Sequence, residues 1–245
     1  MVKKIDADSW KHFAASRRTT RDFLDKPVPQ SLIDELLEDA MTAPSWSNTR
    51  PYLVGISSGE KRDRISAELL SRWEAAGRAL RGGWWGRVKL LFTRYGLPQS
   101  DYRVFRPYPK ELVPRQQRVG AELYGLLGIK RDDHVARQAQ WARNYEFFGA
   151  PVALFIFTHK GLGEYSVSDA GLFMQNLMLG AHARGLGTCA QGAVALWAPP
   201  IRKEFNVPKG YKLLCGIALG YPSDHKVNGF QAERLPIAEI KLKDV

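Results

Sequence analysis

Three apolar segments in the last third of the chain most constrain its fold. Residues 150–157 read Ala-Pro-Val-Ala-Leu-Phe-Ile-Phe, and 213–219 form a second short apolar run. Runs of strand length without polar alternation are buried on both faces of a sheet. Between them, Ser168 and Asp169 open a helical segment that runs to about Arg184 and is followed by Gly185 and Gly187. It carries Leu172, Phe173, Met174, Leu177, Met178, Leu179 and Ala181 and is apolar nearly all round, which predicts a central helix. A small sheet flanked by long helices buries all three, so the fold class is α+β.

The rest of the chain fits that plan. A helix is expected over 6–15. A stronger one opens at Pro29, with Leu32, Ile33, Leu36, Leu37, Ala40 and Met41 at helical spacing, and stops at Pro44. Residues 52–57 read as a strand, and Glu60 begins another helix. From about 71 to 130 the pattern is irregular, broken by Gly82-Gly83-Trp84-Trp85-Gly86 and by Arg106-Pro107-Tyr108-Pro109. This stretch reads as an inserted excursion, or lid, lying over the core or over a partner subunit. Helices are expected at 115–127 and 132–148, a small-residue loop at 189–193 and a short helix at 199–206. With no internal repeat, residues 1–245 read as one domain.

Bulk properties exclude several classes. No apolar run is long enough for a membrane span, and the charged start, with Lys3, Lys4 and Asp6, does not resemble a signal peptide. Cys189 and Cys215 sit among small or apolar residues, as buried thiols do in a reducing compartment, and cytoplasm is the default location. The net charge of +11 is spread out, without a run of five basic residues. Nucleic-acid binding through the arginine- and aromatic-rich excursion is therefore a remote alternative, and no nucleic-acid partner is expected. The five histidines have no metal-ligand spacing. No G-x-S-x-G elbow, G-x-G-x-x-G turn or Walker loop occurs. His182, on the apolar helix, reads as a hydrogen-bonded core histidine.

What remains is a set of loops rich in Arg, Asn, hydroxyls and small residues. Foremost is Ser16-Arg17-Arg18-Thr19-Thr20-Arg21-Asp22-Phe23. Guanidinium forks and hydroxyls suit a phosphate monoester, although a solvated basic loop has the same composition. Loops of this kind beside firm elements suit a bound organic cofactor.

Taken in order, the motifs resemble those of the FMN-dependent nitroreductases. The resemblance rests on Arg17-Arg18-Thr19-Thr20-Arg21-Asp22-Phe23, on Ala43-Pro44-Ser45-Trp46-Ser47-Asn48-Thr49-Arg50-Pro51, on residues 144–151, on Gly185-Leu186-Gly187-Thr188, and on Gly220-Tyr221-Pro222 with Asn228 and Arg234. It implies a mostly antiparallel sheet and a homodimer with FMN at the subunit interface. Arg17, Arg18, Thr19, Arg21 and Arg234 would hold the phosphate and ribityl chain. Pro44, Ser45, Trp46 and Asn48 would come from the other subunit to line the flavin. Asn144 would bond the pyrimidine end of the ring, and Ala190, Gln191 and Gly192 would lie along its face. The implied activity is ping-pong reduction of nitroaromatic or quinone-like acceptors by NAD(P)H through flavin N5, with no catalytic side chain of the protein's own. A specialised flavoenzyme on the same fold (reductive dehalogenase, ene-type reductase or biosynthetic dehydrogenase) is the alternative. Arg50, Tyr52 and Trp46 replace the family's usual Gln, Trp and small residue, and Ala232 a lysine seen in some members.

Overall fold

The computed structural model describes residues 4–104 and 106–242, and the apolar run at 150–157 lies at its centre. Residues 1–3 and 243–245 of the expected domain, and Phe105 of the excursion, lie outside the described residues. The central strand, β2 (Val152–His159), is flanked by β1 (Tyr52–Ser58) and by β4 (Tyr211–Gly220). β3 (Gly187–Gln191) forms the edge beyond β4. All three pairings are antiparallel.

Successive side chains of a strand point to opposite faces, and β2 uses both. Ala153, Phe155 and Phe157 enter one core, packed against Ile65 and Leu69 of α3 (Gly59–Arg81) and Ile201 of α8 (Ala198–Glu204). Val152, Leu154 and Ile156 enter the other. There they meet Ile33, Leu36 and Ala40 of α2 (Gln30–Met41), and Ala170, Phe173, Leu177 and Ala181 of α7 (Glu164–Ala183). The result is three layers, with the sheet between two helical layers.

Four expectations change. The helix at 168–184, expected to be central, buries only one stripe as α7, and Leu172 on its other face is 45% exposed. Met174, Met178 and Leu179 are half-buried. The loop at 189–193 begins instead as edge strand β3. Its small residues give no apolar alternation to read, and pairing with β4 supplies the order. The helix expected over 132–148 stops early as α6 (His134–Ala142), and it could not run to 148, where buried Phe147 and Phe148 take left-handed φ of 53° and 56°. The irregular excursion is largely helical: α3 runs on to Arg81, followed by α4 (Gly83–Thr93) and α5 (Val113–Leu127). Here glycine permits close packing. A Cβ on Gly86 would fall 2.5 Å from the Ala79 carbonyl oxygen.

The excursion returns to the core at Trp197. Its indole N–H donates to the Leu97 carbonyl oxygen at 2.9 Å, and its ring, fully buried, packs on Tyr145 with centroids 5.3 Å apart. Nearby, Asp101 accepts from Arg202 and from the Leu213 amide, each at 2.7 Å. Trp197→Ala should cost about 3–5 kcal/mol through the cavity it leaves. The urea midpoint should fall accordingly, and an unchanged midpoint would show that this contact does not fasten the excursion.

Candidate functional site

Asp6 caps α1 (Ala7–Ser16) by accepting from the Ser9 amide at 2.9 Å, and the basic loop leaves the helix's other end. The loop lies against β3: the Thr20 amide donates to the Thr188 carbonyl oxygen at 2.9 Å. Only glycine fits beneath, since a Cβ on Gly187 would meet Thr20 Oγ1 at 2.3 Å. The C-terminal segment holds the other side. Asn228 accepts from the Arg21 amide at 2.8 Å and donates to the Asp22 carbonyl oxygen at 2.7 Å. Burial raises the Asp22 pKa, but the Ser223 hydroxyl and Arg143 guanidinium outweigh that and hold it below the usual carboxylate range.

With the backbone pinned, Arg17 and Arg234 come near each other. Burial lowers the Arg17 pKa, and the nearby Arg234 guanidinium lowers it further. Among the described residues none of Arg17, Arg18, Arg21 and Arg234 forms an ion pair. Like charges gathered without a counterion make a site that favours an anion. Arg17 and Arg18 line a cleft of about 360 Å³ with Ser16, Thr20, His182 and Asn228. His182 is a wall of this cleft, hydrogen-bonded to Ser16 Oγ at 2.7 Å, and does not sit in the core. Burial lowers its pKa first, then Arg17 and Arg18. The sequence offered little to find it by, since Ser16 and His182 are far apart in the chain.

From this cleft β3 leads to the second group of expected residues. Arg21 stands near enough to Cys189 to oppose the burial that pushes that thiol up to about 11. Burial alone raises Cys215 to about 12, so neither cysteine is a thiolate at neutral pH. At about 3.3 Å per residue, Gln191 lies roughly 10 Å beyond Thr188. Its Nε2 donates to the Asn144 carbonyl oxygen at 2.8 Å, while Asn144 Nδ2 donates to that of Trp141 at 2.9 Å. Gln191 is buried, yet its Oε1 has no hydrogen-bond partner. Ala190 and Gly192 on either side are exposed and small, leaving room for a flat group to approach the backbone. An unpaired buried acceptor beside such an opening, at the far end of a strand from clustered arginines, fits a phosphorylated heteroaromatic molecule.

The third group lies elsewhere. Ser45 Oγ accepts from the Arg50 amide at 3.0 Å, and Asn48 Oδ1 from Arg50 Nη1 at 2.5 Å. These bonds hold a loop in which Ser47, Asn48 and Arg50 all have left-handed φ, of 47°, 57° and 45°. Left-handed backbone at non-glycine residues concentrates at functional sites. The loop docks near the start of α7: the Trp46 amide donates to Asp169 at 3.1 Å, and the Trp46 ring lies 4.4 Å from that of Tyr165. The cleft's His182 is near the other end of the same helix. Thirteen residues at 1.5 Å each separate the two by about 20 Å. Within one chain, therefore, Pro44, Ser45, Trp46 and Asn48 do not join the arginine cleft, and the Trp46 side of the loop faces outward, 54% exposed.

The model of the nitroreductase family matches residues 14–221. The chain is 32% identical over 230 residues to a 4-nitrobenzoate reductase from Pseudomonas putida, covering 93% of this chain and 92% of that one. It is 31% identical to a nitrobenzene nitroreductase from Ectopseudomonas oleovorans, covering 93% and 91%. Its fold resembles the FMN-dependent nitroreductase NfnB from Mycobacterium smegmatis, solved in complex with NADPH, at a TM-score of 0.82 and 28% identity over 98% of this chain and 99% of that one.

Two outcomes are expected of the cleft alone. Inorganic phosphate should raise the thermal midpoint of the wild-type chain, and Arg17→Gln should remove most of that rise; an equal rise in both would place the anion elsewhere. In phosphate-free buffer His182 favours the folded state above the ordinary histidine pKa of about 6.5. That stability should be lost as the pH falls through its lower folded value, because the unfolded chain binds the proton more readily. His182→Gln should flatten the acid side of the stability curve.

Proposed function

The chain belongs to the nitroreductase family, and we propose that it is an FMN-dependent oxidoreductase that uses NAD(P)H to reduce nitroaromatic and quinone-like acceptors. We take residues 1–245 as one domain carrying an inserted excursion, acting as a homodimer with its cofactor at the subunit interface. One observation carries the reading: the convergence of Arg17 and Arg234 without a carboxylate partner, at one end of a strand whose other end presents the unpaired Gln191 Oε1. The relatives supply the chemistry, being reductases of 4-nitrobenzoate and of nitrobenzene, and an FMN enzyme seen with NADPH.

When bound, the flavin supplies a two-electron hydride carrier that donor and acceptor use in turn, a ping-pong cycle. The chain's own residues bind and orient. Arg17, Arg18, Arg21 and Arg234, with Thr19, neutralise the phosphate, each charge-assisted bond being worth more than a neutral one. Gln191 Oε1, unpaired in the structure, would accept a hydrogen bond from the ring. Asn144 keeps Gln191 in place and would hold the ring's pyrimidine end. Ala190 and Gly192, small and exposed, would let the ring approach the backbone. No side chain is asked for covalent or acid–base chemistry, in keeping with two cysteines that burial keeps protonated.

Distance supports the dimer. The ligand's second wall cannot be this chain's own strained loop, about 20 Å away along α7. Tyr165 and Leu172, exposed on α7, offer apolar surface on which a second copy would sit. Pro44, Ser45, Trp46 and Asn48 of the partner subunit would then close the site and exclude water from it. Purified protein should be yellow, and NADPH or NADH under anaerobic conditions should bleach it, with colour restored by 4-nitrobenzoate or a benzoquinone. A protein that stays colourless after incubation with FMN would defeat the proposal.

A further inference from the structure

His182 enters the arginine cleft from α7, and its ring is held on two sides. The Phe13 ring of α1 lies 5.1 Å away, centroid to centroid. Its Nε2 is 2.7 Å from Ser16 Oγ, and the Ser16 hydroxyl is in turn 2.8 Å from the Phe13 carbonyl oxygen. A hydroxyl has one hydrogen to give. If that hydrogen goes to Phe13, the imidazole must donate from Nε2, which leaves Nδ1 as a bare acceptor. If it goes to His182, the Phe13 carbonyl loses this donor. The imidazolium ends the competition: Nε2–H donates to Ser16, Ser16 donates to Phe13, and both bonds stand together.

The charges around the ring work against that form. From α1 it meets Phe13 and Ser16, which are uncharged, and from the loop beyond it faces Arg17 and Arg18. Burial, then these two guanidiniums, hold its pKa below the ordinary histidine value. Arg184, two residues further along the chain, is taken up by Glu35 and Asp39 of α2 at 3.4 and 2.6 Å. Among the described residues no carboxylate lies in ion-pair range of His182. A bound dianion would reverse the balance, because it would neutralise the guanidiniums and attract the imidazolium. His182, Ser16, Arg17 and Arg18 line the same cleft of about 360 Å³, so ring and anion share one space.

We propose that His182 is a further binding residue for the anion of this cleft, taking up a proton when a phosphate monoester binds and releasing it when the ligand leaves. The inference rests on reading the cleft as a phosphate site, and it deepens the proposed function. One proton passes from solvent to the imidazole for each ligand bound. Retention of the ligand therefore strengthens as the pH falls, until the phosphate itself takes up a proton at a pKa of about 6.

Histidine Cε1–H resonances of the full chain, followed by NMR against pH, test it. The His182 resonance is the one that His182→Gln removes; should that variant not fold, Ser16→Ala picks out the same resonance by shifting it. Sulfate is the probe, because it keeps its charge where a phosphate monoester titrates. Saturating sulfate should raise the His182 pKa by roughly one unit or more, which means about tenfold tighter sulfate binding by the protonated form. The thermal midpoint gained from sulfate should accordingly be larger at about pH 5 than at about pH 8. His182→Gln should make the two gains equal. Where flavin purifies with the chain, the raised pKa should be present without sulfate. A His182 pKa that neither sulfate nor bound flavin raises overturns the proposal, as does a pH-dependent gain that persists in His182→Gln. The cofactor reading fails separately. A yellow chain whose His182 keeps its lowered pKa retains the cofactor and loses this proton. A chain that stays colourless with FMN, but whose His182 responds to sulfate, retains the proton and loses the cofactor.

Discussion

The length of α7 is the constraint from which the account of the site follows. A 20-residue helix clamped to the sheet by Ala170, Phe173, Leu177 and Ala181 is a rigid spacer. It keeps the strained 44–50 loop at its start away from the arginine cleft at its end. Neither loop can cross that gap without unpacking the core beneath, whose side chains sit at close-packed density. A ligand in the cleft thus has one wall from its own chain, and on our reading the other wall must come from a second chain. Symmetry then gives two such sites per dimer, because a two-fold interface repeats every contact.

The cleft itself depends on the edge position of β3. An interior strand would have both backbone edges occupied by neighbours. As an edge strand, β3 spends one edge on β4 and leaves the other for Thr20. Gly187 makes that approach close, and Asn228 ties the loop to the C-terminal segment that brings Arg234. These backbone anchors hold Arg17 near Arg234, and like charges held near each other favour a bound anion.

The parts legible in the sequence were those with strong periodicity. The double-sided burial of β2, the stripe on α2 and the basic loop after α1 all declared themselves. β3 did not, because Gly187, Thr188 and Ala190 carry no alternation and gain their order from pairing with β4. The bend after α6 was hidden for a related reason. Phe147 and Phe148 look helical locally, but both are buried in left-handed backbone. Composition disguised the excursion, where glycines that usually break helices let α3 and α4 pack tightly. His182 was misplaced because apolar neighbours suggested a core, while the chain turns it toward Ser16 and the arginines. The site residues Arg17, Arg18, Thr19, Arg21, Asn144, Ala190, Gln191, Gly192 and Arg234 were named from a resemblance. That the basic loop lies against β3 and that Gln191 bonds Asn144 appears only in three dimensions.

The claim that two chains share each site can be tested directly by complementation. One variant would carry Arg17→Ala with Arg18→Ala, and the other Trp46→Ala with Asn48→Ala. Purified alone, each should retain little FMN while keeping its secondary structure. Co-expressed with different tags and isolated by both, the mixed dimer should hold about one FMN per two chains, since one of its two sites has both walls intact. A mixed dimer as empty as its parents, or either parent binding FMN fully, would contradict the account.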